Sequence, residues 1–179
     1  MSGHSKWSTI KRKKGATDAK KSQIFSKMAK LISIAARKGD DPLMNSDLKT
    51  AIEKAKGVNM PNDKIENAIK KGNGKSEDSQ LNAVMFEAYG PSGVGIIIEA
   101  ITDNNNRTVA EIKHLISKQN ASWASPGAVT WAFTHKSPSE GWIPNSTIEL
   151  NENDSEKLAN LLDALDDHDD VQEIYHNAG

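Results

Sequence analysis

The chain has 179 residues, 36% of them hydrophobic, which is enough for one ordinary domain or two small ones without covalent cross-links. It contains no cysteine, which excludes disulfides, thiolate zinc sites, iron–sulfur clusters and cysteine nucleophiles. The net charge of −1 hides a strong asymmetry: residues 1–75 carry 18 Lys or Arg and 7 Asp or Glu, whereas residues 76–179 carry 5 and 17. We therefore predict a basic domain over 1–75 and an acidic domain over 76–179.

The basic half begins with lysine-rich sequence and continues into helical patterns. Residues 11–14 and Lys20-Lys21 have few apolar neighbours and predict a solvated arm. From residue 22 to Gly39, apolar residues recur at helical spacing while cations fall on the opposite arc, which predicts an amphipathic helix. The arm and the helix together place positive charge along one side of this domain.

Two shorter helices are predicted next. The first is capped within the Asn45-Ser46-Asp47 cluster and ends at Gly57. For the second, Pro61 suits a first helical turn and Gly72 a C-cap. Residues 72–82 are polar or glycine except for Leu81 and contain the charge reversal, so the domain boundary is placed there. The basic half is therefore a three-helix domain.

The acidic half alternates strand and helix patterns. A Gly-Pro-Ser-Gly turn at residues 90–93 joins two strands into a hairpin, and three asparagines precede a helix. The predicted elements are strands over 84–89, 94–102, 128–133, 147–150 and 171–176, and helices over 107–119 and 154–165. This order predicts an α+β fold with a two-layer α/β sandwich.

Short blocks in a fixed order carry a family resemblance. They are Gly-His-Ser-Lys-Trp at 3–7, Asp-Ala-Lys-Lys at 18–21, Asn-Met-Pro at 59–61, Ala-Ile-Lys-Lys-Gly at 68–72, Tyr-Gly-Pro at 89–91, Asn-Arg-Thr-Val at 106–109 and Asp-Asp-Val-Gln at 169–172. Together they span nearly the whole chain, which resembles the YebC family. In one respect the chain departs from that family, since usual members insert a further α+β domain between the regions of Phe133 and Ile143, where only residues 134–142 stand here.

The resemblance implies a helical domain followed by a ferredoxin-like sandwich, and a role in gene expression. Bacterial members are described as transcriptional regulators that bind DNA. Relatives include a mitochondrial translational activator of cytochrome c oxidase, and bacterial members are linked to ribosomes that translate proline-rich sequences. DNA and ribosomal RNA are therefore both expected partners. For the acidic domain, the charge asymmetry leaves two interpretations: it contacts a protein partner, or it orients the basic face.

The candidate nucleic-acid-binding residues are the cations of the basic half, one tryptophan and one arginine of the acidic half. They are Lys6, Trp7, Lys11, Arg12, Lys13, Lys14, Lys20, Lys21, Lys27, Lys30, Arg37, Lys38 and Arg107. Lysine is a point charge suited to phosphates, so we expect weak sequence discrimination and a steep dependence on salt. The alternatives are a solubilising surface for the cations, a core position for Trp7 and an exposed helix start for Arg107.

Other patterns give weaker signals. The glycine-rich residues 90–95 lack the Gly-Lys-Ser/Thr ending of a phosphate loop, which favours a hairpin turn. Residues 166–170 are acidic but lack the spacing of a calcium loop, so we predict a charged helix end and no metal site. The five histidines are scattered and no hydrolase motif occurs, so neither catalysis nor a cofactor is expected. A protein-interaction adaptor is the alternative from another functional class.

The start of the chain bears on localisation. No run of apolar residues is long enough to cross a membrane, and the basic start superficially resembles a transit peptide. Because the family signature begins at Gly3, we interpret that start as binding surface without a leader, which gives a bacterial, cytoplasmic protein as the expectation.

Overall fold

The computed structural model describes residues 17–74 and 81–179. Two units can be distinguished among them. The first, called the helical unit, comprises residues 17–74 and 81–83 together with Ile101–Asp103. The second, called the sandwich unit, comprises Val84–Ala100 and Asn104–Gly179. No helix within these described ranges has the length and apolar character needed to cross a bilayer.

Three helices form the helical unit: α1 (Asp18–Ala36), α2 (Ser46–Gly57) and α3 (Asn62–Asn73). The first helix begins earlier than predicted, because the side chain of Thr17 accepts a hydrogen bond from the amide of Lys20 as an N-cap, and Asp18 suits the positive end of the helix dipole. The prediction that Lys20 and Lys21 belong to an irregular arm is therefore wrong. Both lie in the first turn of α1.

The core of the helical unit lies where α1 meets the other two helices. Its fully buried side chains include Ile32 of α1 and Leu48 of α2, with Ile65 of α3 close to full burial. Asn45 joins α1 to α2: its Nδ2 donates to the carbonyl oxygens of Ala35 (2.8 Å) and Gly39 (2.7 Å), while its Oδ1 accepts from the amide of Leu48 (3.1 Å). One side chain thereby caps the end of one helix and the start of the next.

Helices α1 and α3 approach closely at a serine and a glycine. The hydroxyl of Ser33 donates to the carbonyl oxygen of Ala68 at 3.0 Å. A Cβ atom placed on Gly72 would overlap the backbone of Ser33. Gly72 was predicted as a C-cap, but it lies inside α3 and its lack of a side chain serves the close packing of the two helices.

The sandwich unit is built on a four-stranded sheet with the order β3-β1-β2-β6. Its strands are β1 (Asn82–Tyr89), β2 (Gly95–Thr102), β3 (Ser122–Ala124) and β6 (Val171–His176), and its helices are α4 (Asn105–Lys118) and α5 (Glu152–Asp166). β1 pairs antiparallel with β3, as β2 does with β6. The helices pack on one face through Ile112, Ile116, Leu161 and Leu165. The predicted α+β fold with its two-layer sandwich is confirmed, and its strands and helices follow one another as ββαβ…αβ.

The other face of the sheet is also covered. A hairpin of β4 (Phe133–Ser137) and β5 (Gly141–Pro144), together with the preceding loop, buries Ile97, Val129, Phe133 and Tyr175. Burial raises the pKa of Tyr175, and the nearby carboxylates of Glu99 and Glu173 raise it further. Tyr175 therefore stays a neutral member of this second core.

Two strand predictions fail in this region. Residues 128–133 are not a strand, since Thr130–Ala132 form a 3-10 turn and pairing begins only at Phe133. Residues 147–150 provide only an isolated bridge between Ile148 and Ala178. In the first case the apolar residues fit a strand pattern, but the backbone amides bond to a side chain, as described below.

Candidate nucleic-acid interface

The described members of the predicted binding set fall in both units. Lys20, Lys21, Lys27, Lys30, Arg37 and Lys38 lie on or just after α1, and Arg107 lies in the sandwich unit. The others, Lys6, Trp7, Lys11, Arg12, Lys13 and Lys14, lie outside the described residues.

The middle of α1 is enclosed. From residue 23 to residue 36, every side chain except that of Ser26 is buried or half-buried, because α1 packs against both α2 and α3. Lys27 is only 8% exposed, and Lys30 is half-buried. Among the described members of the set in the helical unit, the exposed cations therefore lie at the two ends of α1 and not in a continuous stripe along it.

At the N-terminal end, Lys20 and Lys21 are exposed in the first turn of α1. Cations at this end oppose the helix dipole, which favours negative charge there by about 0.3–1 kcal/mol. An external phosphate at this end would interact favourably with both the dipole and the two lysines. These positions are therefore better suited to binding an anion than to stabilising the helix.

At the C-terminal end, Arg37 and Lys38 are exposed but have partners. Nη1 of Arg37 donates to the carbonyl oxygen of Leu81 at 2.6 Å, and Nζ of Lys38 lies 2.6 Å from Oδ2 of Asp47. The Lys38 side chain is 71% exposed, and a surface ion pair of this kind contributes about 0–1 kcal/mol. Lys38 can therefore exchange its carboxylate for a phosphate at little cost.

Arg107 occupies a different setting, at the start of α4. Its Nη2 donates to Oδ2 of Asp170 at 3.0 Å, and the hydroxyl of Thr108 donates to the same oxygen at 2.7 Å. Asp170 is 3% exposed, whereas the Arg107 side chain is 43% exposed. The guanidinium therefore compensates a buried carboxylate, which gives Arg107 a structural contact beside its partly open face.

Glu111, His168 and Asp170 bring three possible metal-ligand atoms within 4.8 Å of one another. The ring of His168 is already engaged, because its Nδ1 accepts from the amide of Asp170 (3.1 Å) and its Nε2 lies 2.8 Å from Oε2 of Glu111. A cation would also have to displace Arg107 from Asp170. This arrangement favours an ion-pair network at a charged helix end over a metal centre.

The glycine-rich residues 90–95 form the turn between β1 and β2. Ser92, in the 3-10 turn Pro91–Gly93, donates to Oδ2 of Asp154 at 2.7 Å. This hydrogen bond, together with the contact to Lys157, lowers the pKa of the half-buried Asp154 carboxyl. The loop is thus tied to the start of α5 as part of the hairpin that was predicted.

Three large apolar side chains that the sequence analysis did not single out are exposed. Leu43 and Met44, between α1 and α2, are 90% and 87% exposed, and Trp131 is 77% exposed. Trp131 lies in the run 128–133 that was predicted to be a strand. Because of the 3-10 turn, the side chains of Ala132 and Phe133 point inward while the side chain of Trp131 faces solvent.

Two family models match the chain in succession. One, described as the TACO1/YebC protein N-terminal domain, matches residues 5–75, and the other, described as the TACO1/YebC second and third domain, matches residues 81–140 and 137–178. The chain belongs to the TACO1/YebC family. The two matched segments of the second TACO1/YebC model meet in the turn between β4 and β5.

Relatives within the TACO1/YebC family support the assignment. A protein of Maridesulfovibrio salexigens is 38% identical over 236 aligned positions, which cover 99% of this chain and 95% of the relative. A protein of Petrotoga mobilis is 53% identical over 137 aligned positions, which cover 76% of this chain and 55% of the relative. Both are named probable transcriptional regulatory proteins. A crystal structure of a conserved hypothetical protein from Aquifex aeolicus superposes with a TM-score of 0.81 at 30% identity, covering 90% of this chain and 91% of that one. Since 236 aligned positions exceed the 179 residues here, the Maridesulfovibrio protein contains residues without a counterpart in this chain.

Proposed function

We propose that this protein is a non-enzymatic regulator of gene expression that binds DNA through the basic helical domain. The proposal depends most on one observation, the concentration of cations in that domain. Residues 17–74 contain twelve Lys or Arg against seven Asp or Glu, and residues 1–16 add five cations and no acid. A polyanion would be attracted to this part of the chain.

The kind of cation suggests how DNA would be bound. Eleven of the twelve cations in residues 17–74 are lysines, which neutralise phosphates but lack the planar fork that reads guanine. The exposed Lys20 and Lys21 at the start of α1 are the described residues best placed for such contacts. Binding is therefore expected to depend on the backbone more than on sequence.

Family membership suggests the process that this binding serves. The relatives named above are called probable transcriptional regulatory proteins. In this chain the acidic sandwich unit would contact a protein of the transcription machinery, or it would orient the basic domain. The protein would act in the cytoplasm and would need no cofactor.

A charge reversal tests the proposal directly. Lys21→Glu, at the exposed start of α1, should weaken binding to a labelled DNA duplex several-fold at low salt. Lys157→Glu changes the net charge by the same amount in the sandwich unit and serves as the matched control. Equal affinity for wild type and Lys21→Glu, or retention of DNA that does not vary with salt, would favour the adaptor function instead.

The ribosome is the other nucleic-acid target, and sedimentation separates it from DNA. Cell extract is run through a sucrose gradient with and without a nuclease specific for DNA. We expect the protein to leave the fast-sedimenting fractions when DNA is digested. Continued migration with the large ribosomal subunit would assign the protein to translation.

A further inference from the structure

Trp131 is an exposed aromatic ring on a loop of the sandwich unit. Its side chain is 77% exposed, and Tyr89 beside it is 38% exposed. Both side chains donate to one acceptor, the carbonyl oxygen of Ala128: the Tyr89 hydroxyl at 2.7 Å and Nε1 of Trp131 at 2.8 Å. The polar edge of the indole is therefore satisfied within the protein, while most of the ring stays open to solvent.

The loop that presents Trp131 is fixed by a buried carboxylate. Glu87 of β1 is 3% exposed, and its two oxygens accept from the amides of Gly127 (2.6 Å), Val129 (2.6 Å) and Thr130 (3.0 Å). Hydrogen bonds to a charged acceptor are among the stronger ones in proteins. Because these bonds already hold the loop in place, binding a ligand on Trp131 would not carry the entropic cost of fixing its backbone.

The segment from this loop to the end of β4, residues 125–137, contains no Asp or Glu. Within it, Lys136 and His135 of β4 are exposed. Lys113 and Lys118 belong to α4, which packs on the opposite face of the sheet, so they do not contribute charge beside Trp131. Lys136 is therefore the described cation of this segment that can attract a phosphate near the loop.

Polar side chains lie beside the backbone of Trp131. Asn145 donates through Nδ2 to the Trp131 carbonyl oxygen at 3.4 Å and accepts through Oδ1 from the hydroxyl of Thr134 at 2.7 Å. Protein–protein interfaces usually surround an aromatic anchor with a wider apolar core. Here one largely open ring, with the partly exposed Tyr89 beside it, offers an area that matches one nucleobase.

We propose that Trp131 is a stacking platform for an unpaired base of a single-stranded nucleic acid. The proposal rests on the function proposed above and adds a second contact, made by the sandwich unit. Stacking uses the face of a base, which a duplex hides between neighbouring pairs and a single strand leaves accessible. Stacking involves the base and not the sugar, so both single-stranded DNA and single-stranded RNA can make this contact.

The test uses the full-length protein and fluorescence anisotropy with a labelled oligonucleotide, as single-stranded DNA, single-stranded RNA and duplex DNA of the same sequence. Trp131→Ala should weaken binding of both single strands roughly 5- to 100-fold, the range seen for loss of one stacked base. Duplex affinity should not change. Trp131→Phe should restore most of the single-strand affinity, and Leu43→Ala, which removes an equally exposed side chain without a ring, is the matched control.

A strand with abasic positions completes the test. Wild type should lose affinity for that strand, whereas Trp131→Ala should bind intact and abasic strands equally. The stacking proposal is overturned if Trp131→Ala and wild type bind single strands with the same affinity. It is also overturned if the substitution weakens duplex binding as much as single-strand binding. In both cases the proposed function stands. If wild type binds none of the three nucleic acids, both fall.

Discussion

Arg107 and Asp170 lie 63 residues apart and are joined by a hydrogen bond of 3.0 Å between Nη2 and Oδ2. The pair connects the start of α4 to the residue immediately before β6, and Thr108 donates to the same carboxylate oxygen. Two of the blocks that carry the family resemblance, at 106–109 and 169–172, therefore meet in space. The contact gives both blocks a structural role in this chain.

Removing the Asp170 carboxylate should destabilise the sandwich unit. Asp170→Ala removes the acceptor that Thr108 and Arg107 share, although Thr108 keeps its contact with the Asn104 carbonyl oxygen (3.1 Å) and Arg107 its contact with Glu111 (4.0 Å). We therefore expect the free energy of unfolding to fall by about 1–3 kcal/mol. Asp170→Asn keeps an oxygen for Thr108 and should cost less. Urea denaturation followed by circular dichroism measures both. Equal stability of Asp170→Ala and wild type would show that the pair is not structural.

Glu87 should control the order of the loop that carries Trp131. Glu87→Gln replaces one acceptor oxygen with an amino group that faces backbone donors, so we expect a loss of about 1–3 kcal/mol. Hydrogen exchange should become faster at the amides of Gly127, Val129 and Thr130. Glu156→Gln, an exposed substitution on α5, is the control and should leave these three rates unchanged.

Two glycines of the helical unit should respond in opposite ways to the same substitution. Gly72→Ala forces a Cβ atom into the backbone of Ser33, so α1 and α3 must separate, at a cost we expect to exceed about 2 kcal/mol. Gly57 ends α2, and a methyl group added there would meet nothing within 4 Å. Gly57→Ala should therefore be neutral or stabilise by up to about 1 kcal/mol. Thermal unfolding of the two variants provides the comparison.

Helices were predictable from the sequence because their periodicity and caps are local. Helix α2 ends at Gly57 as predicted, and its N-cap Asn45 lies within the predicted Asn45-Ser46-Asp47 cluster. The start of α1 was missed because the surrounding lysines obscured a threonine cap at residue 17. Strand β3 has only three residues, too few for a periodic signal.

The candidate site was less predictable, because exposure depends on packing between elements. Lys27 lies opposite the apolar arc of its own helix, yet it is buried in the folded unit. Trp131 belongs to an apolar run but faces solvent, because the side chain of Glu87, 44 residues earlier in the sequence, accepts hydrogen bonds from the backbone amides of the loop. Neither outcome can be deduced from spacing along a single helix or strand.

The most direct test of the account is the salt dependence of DNA binding by wild type and by a variant with Lys13, Lys14, Lys20 and Lys21 replaced by glutamate. Each phosphate contact contributes about 0.9 to the slope of log K against log salt concentration. We predict a steep slope for wild type, and for the variant a shallower slope with much weaker binding at low salt. Identical slopes and affinities for the two proteins would contradict the claim that the basic domain binds nucleic acid.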